Sequence, residues 1–247
     1  TKLLGGKNWS AYYDVAGLTD WFVVGGGRAA GVDNAGTDGG GSGTGRADNA
    51  LQLRGRHLRW TYGLQAQYAA PMPVFTDDRF DYGLGASLLH KTPGGMSLGI
   101  AYNHAIIDDS DLPALQSQGI DGDAQALILG SRRYGDDYYM AMTVTWMENH
   151  ETTDEGIYFD GWGWEGFASR RIAPKWWLIG GWNALTPHGD QDQAGDYRLL
   201  YGVVGLRYTF DEFRRMVYSE FRIDDSVAAD GEKPGNVFSV GVRWDLP

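Results

Sequence analysis

The sequence predicts an all-β protein whose strands form an antiparallel transmembrane β-barrel, and three observations predict it. Apolar and polar residues alternate with period two through most of the 247 residues, the signature of strands with one apolar face. Short turns take turns with long polar connections, and aromatic residues gather at the ends of the apolar faces, as in outer-membrane barrels. No helical period of useful length appears.

Composition bounds the alternatives. Ten Trp, fourteen Tyr and 37 Gly, with only 8 Pro, make a turn-rich β composition with too much aromatic content for disorder. No shift in composition divides the chain, which reads as one barrel domain over residues 1–247. The net charge of -11 opposes a nucleic-acid partner, since phosphate binding needs a basic surface. Zero cysteines remove disulfides, thiol catalysis and cysteine zinc sites together. No signal peptide stands at Thr1, and no run approaches the roughly 18 apolar residues of a membrane helix. A membrane role therefore requires a closed barrel, which satisfies its own backbone.

In chain order, a stub at Lys2 to Trp9 precedes a long aperiodic stretch over residues 10–45, too long for an ordinary connection. Ala47 to Gly55 follows, with Leu51 and Leu53 opposite Arg46, Asp48, Gln52 and Arg54. After a turn at Gly55 to His57, Leu58, Trp60, Tyr62, Leu64, Ala66 and Tyr68 oppose Arg59, Thr61, Gln65 and Gln67. Phe80, Tyr82, Leu84, Ala86 and Leu88 make the next face, and Met96, Leu98, Ile100 and Tyr102 the one after Thr92-Pro-Gly-Gly95. Ala124 to Tyr134 and Tyr138 to Trp146 flank Gly135-Asp-Asp137, and Trp162 to Arg171 and Trp176 to Leu185 flank Ala173-Pro-Lys175. Leu200 to Phe210, a turn at Asp211-Glu212, Arg214 to Asp224 and a last strand through Phe238, Val240, Val242 and Trp244 complete about eleven full strands plus the stub.

A soluble β-sandwich would show the same alternation, with the apolar face turned inward. What separates the two is the order of connections. The long loops Met72 to Asp78, Ile107 to Gly122, Glu148 to Asp160, Thr186 to Asp196 and Asp225 to Gly235 alternate with the tight turns, and Tyr68, Tyr102, Trp146, Trp176, Tyr208 and Trp244 sit where girdles at two water interfaces would be.

The long stretch carries a resemblance. Lys7-Asn-Trp-Ser-Ala-Tyr-Tyr-Asp-Val-Ala-Gly-Leu-Thr-Asp20 resembles the end of the fifth strand and the infolded third loop of the trimeric general diffusion porins of Gram-negative outer membranes. Gly45-Arg-Ala-Asp-Asn-Ala-Leu-Gln-Leu-Arg54 resembles the sixth strand, and Tyr62 to Tyr68, Trp182-Asn183 and Asn236 to Asp245 fit the same family. The resemblance implies a porin-type barrel in the bacterial outer membrane, with membrane lipid and lipopolysaccharide around a homotrimer. The channel would pass ions and small hydrophilic solutes by passive diffusion, with no cofactor, no metal and no enzymatic chemistry. It further implies that residues 10–45 fold into the lumen and narrow it. Asp20 then matches an acidic position of the constriction, Tyr13 a pore-facing tyrosine and Arg46 a wall arginine.

The chain departs from the family in places. Val24 stands where a second loop carboxylate is usual, and Arg28, the remaining constriction candidate, where another acid is common. The likeness begins at the fifth strand, and the chain finishes Trp244-Asp-Leu-Pro247 rather than on an aromatic. Two architectures fit: a 16-stranded porin whose N-terminal strands are missing from this chain, or a closed 12-stranded barrel.

Alternation places Arg46, Arg54, Arg59, Arg133, Arg207, Arg222 and Arg243 on the pore wall, where rings of charge bias ion entry, and the resemblance adds Lys7 to that wall. The bland alternative is that they pair with wall acids such as Glu165 and Glu220. The Asp-rich loops, among them Asp108 to Asp111, lack the twelve-residue calcium spacing and read as solvated loops. The five histidines have no partner serine in a recognisable motif, which leaves an outer-membrane hydrolase or a lectin-like binding protein as the less favoured readings. Gly25-Gly-Gly27 and Gly39-Gly-Gly41 lack the Lys-Ser/Thr and helix of a phosphate loop and read as freedom for sharp turns.

Overall fold

The computed structural model describes residues 1–33, 42–71, 79–108, 111–211 and 214–245. Twelve strands run β1 (Lys2–Trp9), β2 (Arg46–His57), β3 (Trp60–Pro71), β4 (Arg79–Lys91), β5 (Met96–Ile106), β6 (Ala124–Gly135), β7 (Tyr138–Thr152), β8 (Tyr158–Ala173), β9 (Trp176–Pro187), β10 (Leu199–Asp211), β11 (Arg215–Asp224) and β12 (Val237–Trp244). Each pairs antiparallel with the next in a single sheet. The stub at the start is thus a full strand, held to β2 from Lys2↔Arg54 to Trp9↔Arg46. Among the described residues no ladder joins β12 back to β1, so the sheet shown is not the closed 12-stranded ring.

Up-and-down pairing puts all tight turns at one end and all long connections at the other. Two turns fall elsewhere than predicted. β2 continues to His57 and the chain reverses at Leu58 and Arg59, because Leu58 takes the left-handed conformation (φ 52°) and so closes a two-residue hairpin. The predicted loop from Glu148 to Asp160 is mostly strand. β7 bulges at Asn149 (φ 47°), slips its register on β8 between Met147 and Glu151, and then keeps pairing. The predicted loop Met72 to Asp78 lies outside the described residues, as does Glu212 of the predicted turn.

The two faces separate as the alternation requires. Leu64, Leu84, Ile100, Leu178 and Val240 stand on the outer face, each more than two-fifths exposed. Apolar exposure repeated on strand after strand is a surface for lipid, since a water-facing monomer does not carry so continuous a patch. Outer aromatics form one level toward the loops, where Trp146 pairs with Trp162. They form another toward the turns, where the Trp176 and Tyr208 rings lie 5.1 Å apart. The inner face carries buried Gln52, Gln65, Ser87, Asn103, Thr143, Glu165, Asn183 and Glu220. What buries these polar groups is the connection between β1 and β2, residues 10–45, whose described parts lie against the inner wall.

Candidate functional site

The infolded loop leaves β1 through a closed neck: the Ser10 amide donates to the Gly45 carbonyl (2.8 Å) and its hydroxyl to the Thr44 carbonyl (2.5 Å). The same hydroxyl accepts the Tyr13 amide (2.9 Å), starting a single helical turn, α1 (Tyr13–Ala16). One face of this segment is apolar, and Val15, Leu18 and Phe22 pack with Ala101, Ile128, Phe167 and Ile179 of the wall. The largest buried apolar cluster among the described residues therefore lies inside the sheet, between loop and wall. Wall glycines make the close approach possible. A Cβ on Gly130 would meet Val15 at 2.7 Å, and one on Gly163 would overlap the Ala29 carbonyl.

Polar wall groups then fasten the loop backbone. Asp14 accepts from Arg54 and from the Ser87 hydroxyl (2.8 Å). Tyr139 donates to the Leu18 carbonyl (2.5 Å). Glu220 accepts the amides of Val23, Val24 and Gly25 at 2.8, 3.0 and 3.3 Å and pairs with Arg207 (3.3 Å). Glu165 accepts the Gly27 amide (3.1 Å) and Asn183 that of Ala29 (3.3 Å). On the return path, Asn103 donates to the Ser42 carbonyl (2.7 Å) and Gln65 to that of Gly43 (3.2 Å). Carboxylates shielded from water need such donors, and loop amides without strand partners need such acceptors. Each supplies the other, although Glu165 Oε2 and Asn183 Nδ2 keep no hydrogen-bond partner among the described residues.

The free edge of the loop faces a polar cavity of about 520 Å³ on the turn side. Tyr13 and Asp20 line it from the loop, and Arg207, Arg214 and Arg243 from the wall. The Tyr13 hydroxyl donates to Asp20. Burial, and then Asp20 itself, push that phenol well above its ordinary pKa, so it stays a donor. Behind it the Trp9 ring stacks on Tyr13 (3.9 Å), and the Arg46 guanidinium covers Trp9 (4.9 Å). Arg46, Trp9, Tyr13 and Asp20 thus form one continuous contact chain. The arginines directly across the cavity from Asp20, however, come from β10, β12 and the β10–β11 turn.

Other predicted residues separate. Arg28 does not reach this cavity; it is exposed on the loop side, in a second cavity of about 340 Å³ with Arg198 and Arg222. The glycines before it let the chain cross the lumen and bring Arg28 out on the far side. Arg59 sits in the β2–β3 turn because the strand begins two residues after Leu58. Arg133 pairs with Met96 and Met140, both exposed on the outer face. Its neighbour Arg132 has the inner parity, since the inner face of β6 runs through Ala124, Ala126 and Ile128. Lys7 is paired with Asp48 (3.0 Å), Arg222 lies beside Asp224 (2.9 Å) and Arg243 beside Asp245 (3.0 Å). Arg54 and Arg207 hold the loop.

Sequence reasoning missed Asp14, Glu165 and Glu220 as fasteners. Glu165 was visible as a single acid on the inner parity of an otherwise uncharged stretch, and Glu220 as an inner acid two residues before Arg222. It also missed a histidine partner. The bulge at Asn149 turns His150 inward, where Nε2 lies 2.6 Å from the Ser42 hydroxyl and Nδ1 2.9 Å from Glu151. The order Ser, His, Glu is that of a nucleophilic triad. All three are under a tenth exposed, and neither cavity above reaches them, so their described contacts hold the returning loop to β7.

No family model matches the sequence, and no curated protein matches it. Solved structures do. The OmpF complex with daunomycin from Salmonella typhi superposes with a TM-score of 0.75 at 17% identity, over 97% of this chain and 73% of that one. The outer membrane channel DcaP of Acinetobacter baumannii gives 0.70 at 12%, over 98% and 70%. OmpT, an outer membrane protein of Vibrio cholerae in its trimer form, gives 0.64 at 12%, over 98% and 76%. At such identities the likeness is one of fold, and the chain has the porin-type fold of outer-membrane β-barrel channels.

Proposed function

We propose that this protein is a passive outer-membrane channel for ions and small hydrophilic solutes, a member of the general diffusion porins narrowed by its infolded loop. The observation that carries the reading is the polar cavity between Asp20 on the loop and Arg207, Arg214 and Arg243 on the wall, inside a sheet whose outer face suits lipid. Facing charges of opposite sign across a water-filled gap set a transverse field that orients dipolar solutes and biases which ions enter. The wall fastenings hold the loop at a fixed distance, so the gap sets a size limit.

Each residue has a part in this mechanism. Asp20 supplies the negative side, and Tyr13 orients its carboxylate. Arg46, through Trp9, buttresses Tyr13, and Arg214 and Arg243 supply the positive side. A homotrimer embedded in lipid and lipopolysaccharide, with no cofactor and no bond-making chemistry, belongs to the same reading. Planar-bilayer recording tests it. Stepwise ohmic conductance that falls as neutral polyethylene glycols small enough to enter are added is expected; insertion without steps would overturn it.

A further inference from the structure

Adjoining the polar cavity is a second space of about 170 Å³ with a different lining: Trp21, Tyr134, Tyr138, Tyr139, Phe167 and Trp177. The two share Trp21 and Arg207. We propose that together they form a bipartite subsite for aromatic carboxylates, with the ring held in the aromatic space and the carboxylate directed at the arginines of the polar cavity.

The aromatic half is built as a ring receptor. Trp21 and Tyr139 lie 5.2 Å apart and tilted, Tyr139 and Phe167 6.0 Å apart edge to face, and Tyr134 and Tyr139 6.4 Å apart and stacked. These spacings are those of favourable aromatic pairs. Trp21 remains 43% exposed and Tyr134, in the same lining, 47%. A large apolar side chain facing water beside a small apolar cavity is unexplained by packing alone and is the usual composition of a ligand pocket.

The polar half favours an anion. Arg207 borders both cavities, packs its guanidinium over Phe167 (5.6 Å) and is 3% exposed, and its Nε has no hydrogen-bond partner among the described residues. Arg214 and Arg243 stand beyond it. Arg207 is paired with Glu220 and Arg243 with Asp245, Asp20 keeps its charge beside the neutral Tyr13 hydroxyl, and Arg214, which has no ion pair among the described residues, is the cation left to receive a solute carboxylate. The site lies toward the tight turns, since Tyr134 and Tyr138 flank the β6–β7 turn. A solute that has passed Asp20 would pause there.

This inference rests on the channel reading, and single-channel recording with benzoate, acetate and benzylammonium separates the two. Benzoate should interrupt the current with dwell times at least about tenfold longer than acetate, as an added aromatic contact implies, and benzylammonium should not. Trp21→Leu should bring the benzoate dwell to within about twofold of acetate, with acetate as the internal reference for any change in the loop. Phe167→Leu, on the wall, provides a second variant should Trp21→Leu fail to insert. Conductance with equal benzoate and acetate dwells, or dwells longest for benzylammonium, would overturn the subsite while leaving the channel intact. Absence of conductance in the unmodified protein would overturn the channel reading itself.

Discussion

Glu220 shows how single side chains give the loop its position. It accepts three consecutive loop amides and pairs with Arg207, itself a donor to the Trp21 carbonyl. Removing the carboxylate leaves Arg207 and those amides without their acceptor in a buried place. Glu220→Ala should therefore cost about 3–5 kcal/mol, the range for breaking a buried pair, read as a lower midpoint of denaturant unfolding in detergent. Glu220→Gln keeps one acceptor oxygen and should cost less. Asp20 has the opposite character, one hydrogen bond and an open face. Asp20→Asn should leave stability within about 0.5 kcal/mol, as for surface changes, and move selectivity toward anions. The reversal potential in a salt gradient checks this, and an unchanged value would remove Asp20 from the constriction.

At the scale of elements, the loop and wall are shaped for each other. Gly163 lies directly beneath the Ala29 carbonyl and Gly130 beneath Val15, so added volume must push the loop inward. Gly163→Val should destabilise by about 1–3 kcal/mol, as overpacking does, and lower the unitary conductance or make it noisy. The return arm depends on β7. The Asn149 bulge points His150 at Ser42, so His150→Ala should loosen the loop's second half and raise current fluctuations while the strand ladder persists. Protease accessibility of the chain at residues 42–45 would check this, and unchanged cleavage would deny His150 a fastening role.

For the whole molecule, the sheet separates a lipid-facing outer surface from an inner surface covered by its own loop. Its apolar core is consequently an inner one, with Phe22, Ile128, Phe167 and Ile179 around the loop, while Leu64, Leu84 and Val240 face outward. Extraction should require detergent, and the fold should resist mild SDS until heated, with a shift in gel migration as the readout. A protein soluble without detergent would contradict the arrangement.

Much of this was legible along the chain. Period-two alternation determined the strands, and the succession of tight turns and long connections determined that they run up and down, because both are local consequences of backbone geometry. The 36-residue gap between Trp9 and Arg46 likewise announced a loop too long to be only a connection. The tertiary structure decided what depends on contacts distant in sequence. A bulge at one residue reverses every side chain beyond it, which is why His150 points inward against the alternation. An error of one position in strand parity exchanged Arg132 for Arg133. Arg28, separated from Asp20 by a glycine crossing, lies on the opposite side of the lumen. Above all, which acids hold the loop and which face the gap follows from the loop's path across strands up to 197 residues away, a pairing that no local spacing encodes.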